Sequence, residues 1–329
     1  ARRSPMRSKI DGFGLTHVGN LRSMNEDQFL VADLNKSMLV HQTSLRQDDH
    51  TRLFGGSQGQ LLLVADGMGG HAAGEQASAI AVESLEQYVL NTMSWFYRLQ
   101  ENIDSDLMEE LKAALDTCQQ SIERAALINP ARRGMGTTLT MAYILWPWLY
   151  VVHAGDSRCY LFRDSRLEQI TTDHTVAQQL VERGAITRSE AKRSRWSHVL
   201  HNCVGGGSHE LNAEVHEAEL KAGDTILLCT DGLTAGVREE RIVEVLGKRT
   251  CAEDACRELV DRANELGGTD NVTVVVARVY DARQPVPEAK AEGAWEAEGG
   301  ATLDPRRERE LHRETEETGE LAGVGGGRS

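Results

Sequence analysis

The sequence has few of the features that mark several large classes of protein. Its 36 lysine and arginine residues are outnumbered by 50 aspartate and glutamate residues, and no basic cluster with interleaved aromatics occurs. Nucleic-acid-binding domains need such a basic face, so we predict no nucleic-acid partner. The longest apolar run, Met141 to Val152, is too short to span a membrane and contains Pro147. No apolar signal-peptide segment follows the basic first residues. We therefore expect a soluble, cytoplasmic protein without membrane contact.

The number and spacing of the cysteines do not indicate a disulfide-bonded framework. A disulfide scaffold would be smaller and denser in cysteine than this chain. The six cysteines form no C-x-x-C pair, and most lie in apolar runs: Cys118, Cys159, Cys203, Cys229, Cys251 and Cys256. We predict reduced thiols in the core and no zinc site.

Apolar spacing divides the chain into three parts. Residues 12–280 alternate apolar strands with amphipathic helices, of which the clearest are predicted over Glu75 to Leu99 and Leu107 to Ile128. Many strands follow one another directly and helices come in pairs, which indicates an α+β fold. Residues 1–11 are predicted to be an N-terminal extension, and residues 281–329 a separate tail.

The tail is charged, rich in small residues and nearly devoid of aliphatic side chains. Such a composition cannot offset the entropy of ordering, so we predict disorder over 281–329. Asp304 to Glu317 nevertheless has an N-capping residue, a proline in the first turn and charges of alternating sign. A helix that docks a partner and a solvated tail both remain open.

A polar stretch between Asp33 and Gln60 is longer than a hairpin connection requires. It separates the predicted strands Gln28 to Asp33 and Leu61 to Ala65. We predict a loop insertion between two core strands, and the sequence indicates no function for it.

Acidic residues at the ends of predicted strands carry the main chemical signal. A single Asp-Gly at a strand end is commonly a turn, but carboxylates within ~4 Å of one another repel by several kcal/mol. A hard cation removes that repulsion, and ligands that are all oxygen favour Mg²⁺ or Mn²⁺ over Zn²⁺. The acids are Glu26 and Asp27 in RSMNED, Asp66 in LLLVADGMGG, Asp156 in VVHAGDSR, Asp231 in ILLCTDG and Asp270 in GGTDNVTVVV.

The order and spacing of six motifs resemble the type 2C (PPM) family of metal-dependent serine/threonine protein phosphatases, especially its compact bacterial members. The motifs are RSMNED, DGMGGHAAGE, GTTLT, AGDSR, TDGL and DNVTVVV, and the resemblance covers residues 12–280. It implies a catalytic domain of two antiparallel β-sheets packed face to face, with helix pairs outside. The strands and helices predicted above are compatible with that fold.

The resemblance also implies metal ligands. Asp66 would bridge two Mg²⁺ or Mn²⁺ ions, and the Gly67 carbonyl would bind one of them. Asp231 and Asp270 would hold the first ion.

Glu26 and Asp27 would hold the second ion, directly or through water, and which of them does more stays open. Asp156 matches a position linked to a third, weaker ion in bacterial members. Arg22 would pair with the substrate phosphate, because its planar fork suits phosphoryl oxygens; a plain surface arginine is the alternative.

The implied reaction is hydrolysis of phosphoserine and phosphothreonine in proteins by a water between two cations. Such a pair lowers the pKa of the water and neutralises charge on the phosphoryl oxygens, so no side-chain nucleophile is needed. Many eukaryotic members carry a histidine in DG-x-GG that serves as a general acid. This chain has Met68, which cannot donate a proton. His71 is an alternative donor, and a solvent-facing histidine at a helix start is the simpler interpretation.

The family also has a flap beside its site, and residues 175–207 are the matching segment. Five basic residues lie in it: Arg183, Arg188, Lys192, Arg193 and Arg195. Contact with the substrate or its acidic surroundings and a solvated helical face both remain open. Asp173, just before the segment, is a candidate cap for the following helix.

These features predict an active phosphatase that acts on phosphorylated proteins and opposes a protein kinase. The alternative from another class is a catalytically silent pseudophosphatase that binds phosphoproteins as a regulatory module. A hydrolase of small phosphate esters is a third option, since the same chemistry would serve it. All of the expected metal-binding acids are intact, which favours an active enzyme.

We expect the tail to be dispensable for the reaction, since every residue assigned to catalysis lies before it. A chain ending at Asp281 should fold and hydrolyse a small phosphopeptide at close to the full-length rate. Thermal unfolding and peptide turnover of the two chains give the comparison. A tenfold loss of turnover, or failure to fold, would show that the boundary is misplaced.

Overall fold

The computed structural model describes residues 8–39, 52–69, 73–93, 103–207, 211–281, 283 and 285–287. Its strands are β1 (Ser8–His17), β2 (Asp27–Leu39), β3 (Arg52–Met68), β4 (Gly136–Thr137), β5 (Leu139–Leu145), β6 (Trp148–Ala154), β7 (Arg158–Arg163), β8 (Arg166–Gln169), β9 (Val204–Gly205), β10 (Glu214–Glu219), β11 (Thr225–Cys229) and β12 (Val272–Asp281). Its helices are α1 (Ala73–Asn91), α2 (Ile103–Ile128), α3 (Val176–Glu182), α4 (Arg188–Ala191), α5 (Asp231–Gly236), α6 (Glu239–Lys248) and α7 (Ala252–Glu265), with a 3-10 helix at Pro130–Arg132.

The strands form two antiparallel sheets. One has the order β1-β12-β11-β7-β8, and the other has the order β10-β6-β5-β3-β4-β9, with β2 also paired to β3. Side chains of both sheets, among them Leu62, Ala142, Leu228 and Val275, meet in one buried cluster. The two sheets therefore pack face to face, which confirms the predicted sandwich.

The apolar runs are continuous because the central strands are covered on both faces. Along β12, Val275 and Ala277 face the other sheet, whereas Val274 and Val276 join a cluster with helices α5, α6 and α7. Along β3, which belongs to the other sheet, alternate residues in the same way face the five-stranded sheet or helices α1 and α2. Each sheet is thus buried between its partner sheet and a layer of helices.

The predicted N-terminal extension was too long by four residues. Ser8 to Asp11 belong to β1 and pair with Arg278 to Asp281 of β12 at the edge of the five-stranded sheet. The Asp11 carboxylate also accepts a hydrogen bond from the Ala252 N–H at 2.7 Å. The mixed polar character of this edge strand conceals it in the sequence. The same pairing places Asp281 in the sheet rather than in the tail.

The polar stretch between Asp33 and Gln60 is only partly a loop. Strand β2 continues to Leu39 and β3 begins at Arg52, and the two pair along this length with shifts in register around Asn35. The prediction of a simple loop insertion was therefore wrong for both flanks. Register shifts of this kind interrupt the alternation of apolar and polar residues, which removes the sequence signal for a strand.

Some predictions fall outside the described residues: His71, the centre of the insertion at 40–51, and the stretch from Asp304 to Glu317. Among the helices that are described, none has the length and apolar character needed to cross a membrane.

The strand ends bring the motif acids to one end of the sandwich. Asp27 begins β2 directly opposite Asp66, near the end of β3. Asp231 follows the last residues of β11, and Asp270 precedes the antiparallel strand β12. Antiparallel neighbours start and finish at the same edge, so the four positions meet although they span most of the chain.

Candidate metal centre

The Asp66 backbone is fixed by two threonines. Its N–H donates to Thr138 Oγ1, and its carbonyl accepts from the Thr138 N–H, both at 2.9 Å. The same carbonyl accepts from Thr137 Oγ1 at 2.8 Å. These residues belong to the GTTLT motif, whose hydroxyls thus hold the strand end that presents the Asp66 carboxylate.

Asp27 lies beneath this end and is only 2% exposed. Its Oδ2 accepts hydrogen bonds from the hydroxyls of Thr230 at 2.9 Å and Thr273 at 2.7 Å. Its Oδ1 is buried and has no hydrogen-bond partner among the described residues. A buried carboxylate oxygen needs a compensating charge or donor. This oxygen is therefore a fitting ligand for a cation.

Glu26 approaches the start of α1 closely. A Cβ added to Gly74 would lie 2.7 Å from Glu26 Oε1, and one added to Gly67 would lie 2.2 Å from the Gly74 carbonyl oxygen. The Gly67 N–H donates to the Glu26 carbonyl at 3.1 Å, and Ser78 Oγ donates to the same oxygen at 2.6 Å. Gly67 and Gly74 of DGMGGHAAGE thus make room for the Glu26 side chain and for the close approach of the end of β3 to the start of α1.

Asn271 ties the loop before β2 to the start of β12. Its Oδ1 accepts from the Glu26 N–H at 2.8 Å, and its Nδ2 donates to the carbonyls of Val18 at 2.8 Å and Met24 at 2.9 Å. Its own N–H donates to Asp270 Oδ1 at 2.9 Å. Sequence analysis assigned Asn271 no role beyond its place in DNVTVVV, although an asparagine beside a predicted ligand acid is a usable signal.

Arg22 lies at the rim of the centre. Its Nη2 donates to Asp270 Oδ2 at 2.7 Å, and the side chains of the two residues are 53% and 34% exposed. The predicted phosphate-binding arginine and a predicted metal ligand are thus in direct contact. An incoming phosphate would find the guanidinium already at the edge of the acidic cluster.

Asp156 and Asp231 are joined by a histidine that sequence reasoning missed. Ligand atoms of Asp156, His198 and Asp231 all lie within 4.8 Å of one another. His198 Nδ1 is 3.3 Å from Asp231 Oδ2, and hydrogen bonding to this carboxylate raises the pKa of the imidazole. His198 belongs to the flap and lies far along the chain from both acids, so no local motif indicates that it joins them.

The acids raise one another's pKa. Burial, followed by the charges of four neighbouring aspartates, raises the pKa of Asp66 well above its ordinary value. Burial is also the main reason that the pKa values of Asp27 and Asp156 are both raised to about 7, and it raises the pKa of Glu26. The structure thus brings together all six predicted acids. Oxygen donors with an excess of negative charge fit hard divalent cations such as Mg²⁺ and Mn²⁺.

A second cluster of potential ligands, His153, His174 and Glu214, is built differently. His174 Nδ1 accepts from the Gly155 N–H at 3.1 Å, so the ring proton is on Nε2, which faces Glu214 Oε2 at 3.2 Å. His153 Nε2 faces the Thr172 carbonyl at 3.0 Å and must donate to it. The nitrogens that a metal would need are already used as donors, and this cluster is structural.

His174 also fixes the base of the flap. Its N–H donates to the Gly155 carbonyl at 2.7 Å, and its own carbonyl accepts from the His201 N–H at 3.0 Å. The Asn202 side-chain amide donates to His174 Nδ1 at 2.9 Å. His174 thus links the C-terminal end of the flap to Gly155, the residue that precedes Asp156.

Asp173 is not the cap of α3, so that alternative was wrong. Its carboxylate accepts two hydrogen bonds from Arg158, at 2.7 and 2.6 Å. The cap is Thr175, whose Oγ1 accepts from the Gln178 N–H at 3.2 Å. Asp173 is taken up by a partially buried arginine that sequence order could not reveal.

Comparison with known proteins decides the family. Residues 38–265 match the family model described as Protein phosphatase 2C, which is more than half of the chain. This chain belongs to the protein phosphatase 2C family. The match includes Asp66, Gly67, Asp156 and Asp231, whereas Arg22, Glu26, Asp27 and Asp270 lie outside it.

Named relatives are bacterial. The chain is 39% identical over 237 residues to the serine/threonine protein phosphatase PstP of Mycobacterium tuberculosis, a match that covers 72% of this chain and 43% of PstP. It is 33% identical over 222 residues to the serine/threonine phosphatase stp of Listeria monocytogenes, covering 66% of this chain and 83% of stp. The chain therefore spans less than half the length of the mycobacterial relative.

Solved structures agree on the fold. The crystal structure of M. tuberculosis PstP has a TM-score of 0.66 and 34% identity, with 82% of this chain and 99% of that chain covered. The catalytic domain of PstP in complex with two manganese ions has a TM-score of 0.65 and 33% identity, with 84% and 100% covered.

The raised pKa of Asp66 predicts how charge removal affects the metal-free protein. A carboxyl with a raised native pKa binds more protons in the folded state, so its contribution to stability falls as the pH rises from the ordinary carboxyl pKa through the raised native pKa. Without metal at pH 8, Asp66→Asn should therefore melt at least about 2 °C above the wild type, and the gap should close towards pH 5. Thermal unfolding in EDTA measures both.

Asp116→Asn, at an exposed position on α2, is the matched control and should show no such gap. Mn²⁺ should raise the melting temperature of the wild type more than that of Asp66→Asn, which has lost a ligand. A metal-free Asp66→Asn protein less stable than the wild type at pH 8 would contradict mutual repulsion in the cluster.

Proposed function

We propose that this chain is a metal-dependent protein phosphatase that hydrolyses phosphoserine and phosphothreonine in proteins. The observation that supports this most is the buried carboxylate cluster at the strand ends, with the unpartnered Oδ1 of Asp27 at its base. Its residues are those that the family motifs mark. Divalent cations bound there would activate a water and neutralise charge on the phosphoryl oxygens.

Each acid has a place in this proposal. Asp66 would bridge two ions, with the Gly67 carbonyl as a further ligand, and Asp231 and Asp270 would complete the first site. The threonine hydroxyls that hold Asp27 Oδ2 leave its Oδ1 for the second ion.

Glu26, whose carboxylate lies close to Gly74, would also hold the second ion, directly or through water. Asp156 would hold a third, weaker ion together with Asp231. His198, within 4.8 Å of both, offers a nitrogen ligand beside them.

Arg22 is the proposed phosphate-binding residue. Its ion pair with Asp270 holds the guanidinium at the rim, where about half of the side chain is exposed. A phosphoryl group that arrives there can replace Asp270 as the partner of the fork, which would leave the Asp270 carboxylate available to hold a cation. The arginine thus orients the phosphorus towards the cluster.

An active enzyme is favoured over a silent phosphoprotein-binding module because every expected acid is present and assembled. The substrates proposed are phosphorylated proteins, with a serine/threonine kinase as the opposing enzyme. The predictions of a cytoplasmic location and of partner docking by the tail stay proposals. Six buried cysteines, none of which forms a disulfide among the described residues, are compatible with a reducing compartment.

The direct test is Mn²⁺-dependent release of phosphate from a phosphothreonine peptide. We expect turnover with Mn²⁺ or Mg²⁺, none in EDTA, and restoration by Mn²⁺ but not by Zn²⁺ alone. Asp66→Asn should keep less than about a tenth of the turnover, because a direct ligand supplies several kcal/mol to the transition state. Peptide binding without any turnover by the Mn²⁺-loaded wild type would instead support the silent module.

Arg22 variants separate phosphate binding from metal binding. Arg22→Ala should raise KM or lower kcat by about tenfold or more, since a charge-assisted hydrogen bond to phosphate is lost. Arg22→Lys should recover only part of the loss, because lysine cannot make the forked contact. Calorimetry should show Mn²⁺ affinity unchanged or higher in Arg22→Ala, since Asp270 is freed. Weaker Mn²⁺ binding would show that Arg22 supports the metal site instead.

A further inference from the structure

The flap carries a concentration of positive charge that the proposed reaction does not use. We call Arg183, Arg188, Lys192, Arg193 and Arg195 the basic flap; all five are exposed. They fall within sixteen residues, 183–198, of a chain whose net charge is −14. The sequence alone left open whether they bind a substrate or only face solvent.

The basic residues of helices α6 and α7 are paired. On α6, Arg241 and Lys248 both contact Glu244. Around α7, Arg257 pairs with Glu253 at 2.8 Å, and Glu258 receives two arginines. Exposed cations of these helices thus have carboxylate partners one helical turn away or in the adjoining loop.

The basic flap differs in this respect. No residue of it forms an ion pair with any part of the chain that the structure describes. Glu190 is the one acid between 183 and 198. Its carboxylate accepts from the N–H of Thr187 at 2.7 Å and from its hydroxyl at 2.8 Å, which closes a capping box at the start of α4. The flap's own acid is therefore occupied by backbone capping.

The flap also lies beside the metal centre. His198 Nδ1 is 3.3 Å from Asp231 Oδ2, so the C-terminal limb of the flap reaches the carboxylate cluster. Arg195 precedes His198 by three residues and is therefore at most about 11 Å from it along the chain. The Arg195 guanidinium stacks over the Trp196 ring at 4.6 Å, which holds it near that limb. Screening at physiological salt acts over about 8 Å, so the flap cations act mainly on acidic groups that come into direct contact with them beside the site.

We propose that the basic flap binds acidic residues that flank the phosphorylated serine or threonine, so that the preferred substrates are phosphoproteins with acidic neighbouring sequence. This proposal rests on the phosphatase function proposed above. A strongly acidic chain repels an acidic partner in general, and an unpaired cationic segment at the site reverses that effect locally. Arginine and lysine without a carboxylate partner among the described residues are available for charge-assisted hydrogen bonds to the carboxylates of a substrate.

Two charge-reversed proteins test the proposal. The flap variant combines Arg188→Glu, Lys192→Glu and Arg195→Glu. The control variant combines Lys112→Glu, Arg166→Glu and Lys221→Glu, at exposed positions on α2, on β8 and before β11. Both variants change the net charge equally, so a difference between them reports location rather than total charge.

Three Mn²⁺-dependent substrates are compared: p-nitrophenyl phosphate, a phosphothreonine peptide with glutamates on both sides, and the same peptide with glutamines. We expect wild-type kcat/KM at least about tenfold higher for the acidic peptide, with the preference lost at 0.5 M salt. The flap variant should lose that preference through KM, with p-nitrophenyl phosphate turnover within about twofold of wild type. The control variant should retain it.

Equal kcat/KM for the two peptides in the wild type would overturn the proposal, and so would equal losses in the flap and control variants. Fluorescence anisotropy of the labelled peptides measures the same preference as a ratio of Kd values without any turnover. Absence of Mn²⁺-dependent turnover with all three substrates would therefore refute the phosphatase function, while the anisotropy ratio still decides on the basic flap.

Discussion

Mutual repulsion among buried carboxylates is the physical constraint on which the arrangement of this site depends. Six acids from five separate parts of the chain meet at one end of the sandwich, and burial together with their neighbours' charges raises the pKa values of Asp66, Asp27 and Asp156. Such a cluster is costly unless a cation compensates it. The rest of the fold must therefore hold the acids in place against the repulsion between their carboxylates.

Neutral side chains do most of that work. Thr230 and Thr273 hold one oxygen of Asp27, Thr138 fixes the Asp66 backbone, and Asn271 joins the loop of Glu26 to the start of β12. A lysine or arginine in these places would neutralise the acids and compete with a metal. Hydroxyls and amides orient carboxylates while leaving their charge, and Arg22 is kept at the rim where a phosphate can reach it.

The flap adds a region of positive charge beside the acidic cluster. Its base is bound through His174 to the backbone beside Asp156, its limb brings His198 to Asp231, and its exposed surface carries unpaired positive charge. Negative charge thus gathers where cations bind and positive charge where an anionic substrate approaches. This arrangement would favour the proposed substrate, a dianionic phosphoester that has to approach an acidic protein.

The sequence by itself determined the identity and order of the acids, the apolar strands that end beside them, and the α+β class, because these depend on chemistry and spacing within a few residues. Tertiary structure alone decided which partners those acids have. Thr273 bonds Asp27 from 246 positions away, and His198 reaches Asp231 across 33. The same limit explains the predictions that were wrong. Residues 8–11 of β1 and the extensions of β2 and β3 are strands only because they pair with neighbouring strands. Asp173 forms an ion pair with Arg158 instead of capping the helix that follows it. A local sequence pattern carries no information about contacts that form only when distant parts of the chain fold against one another.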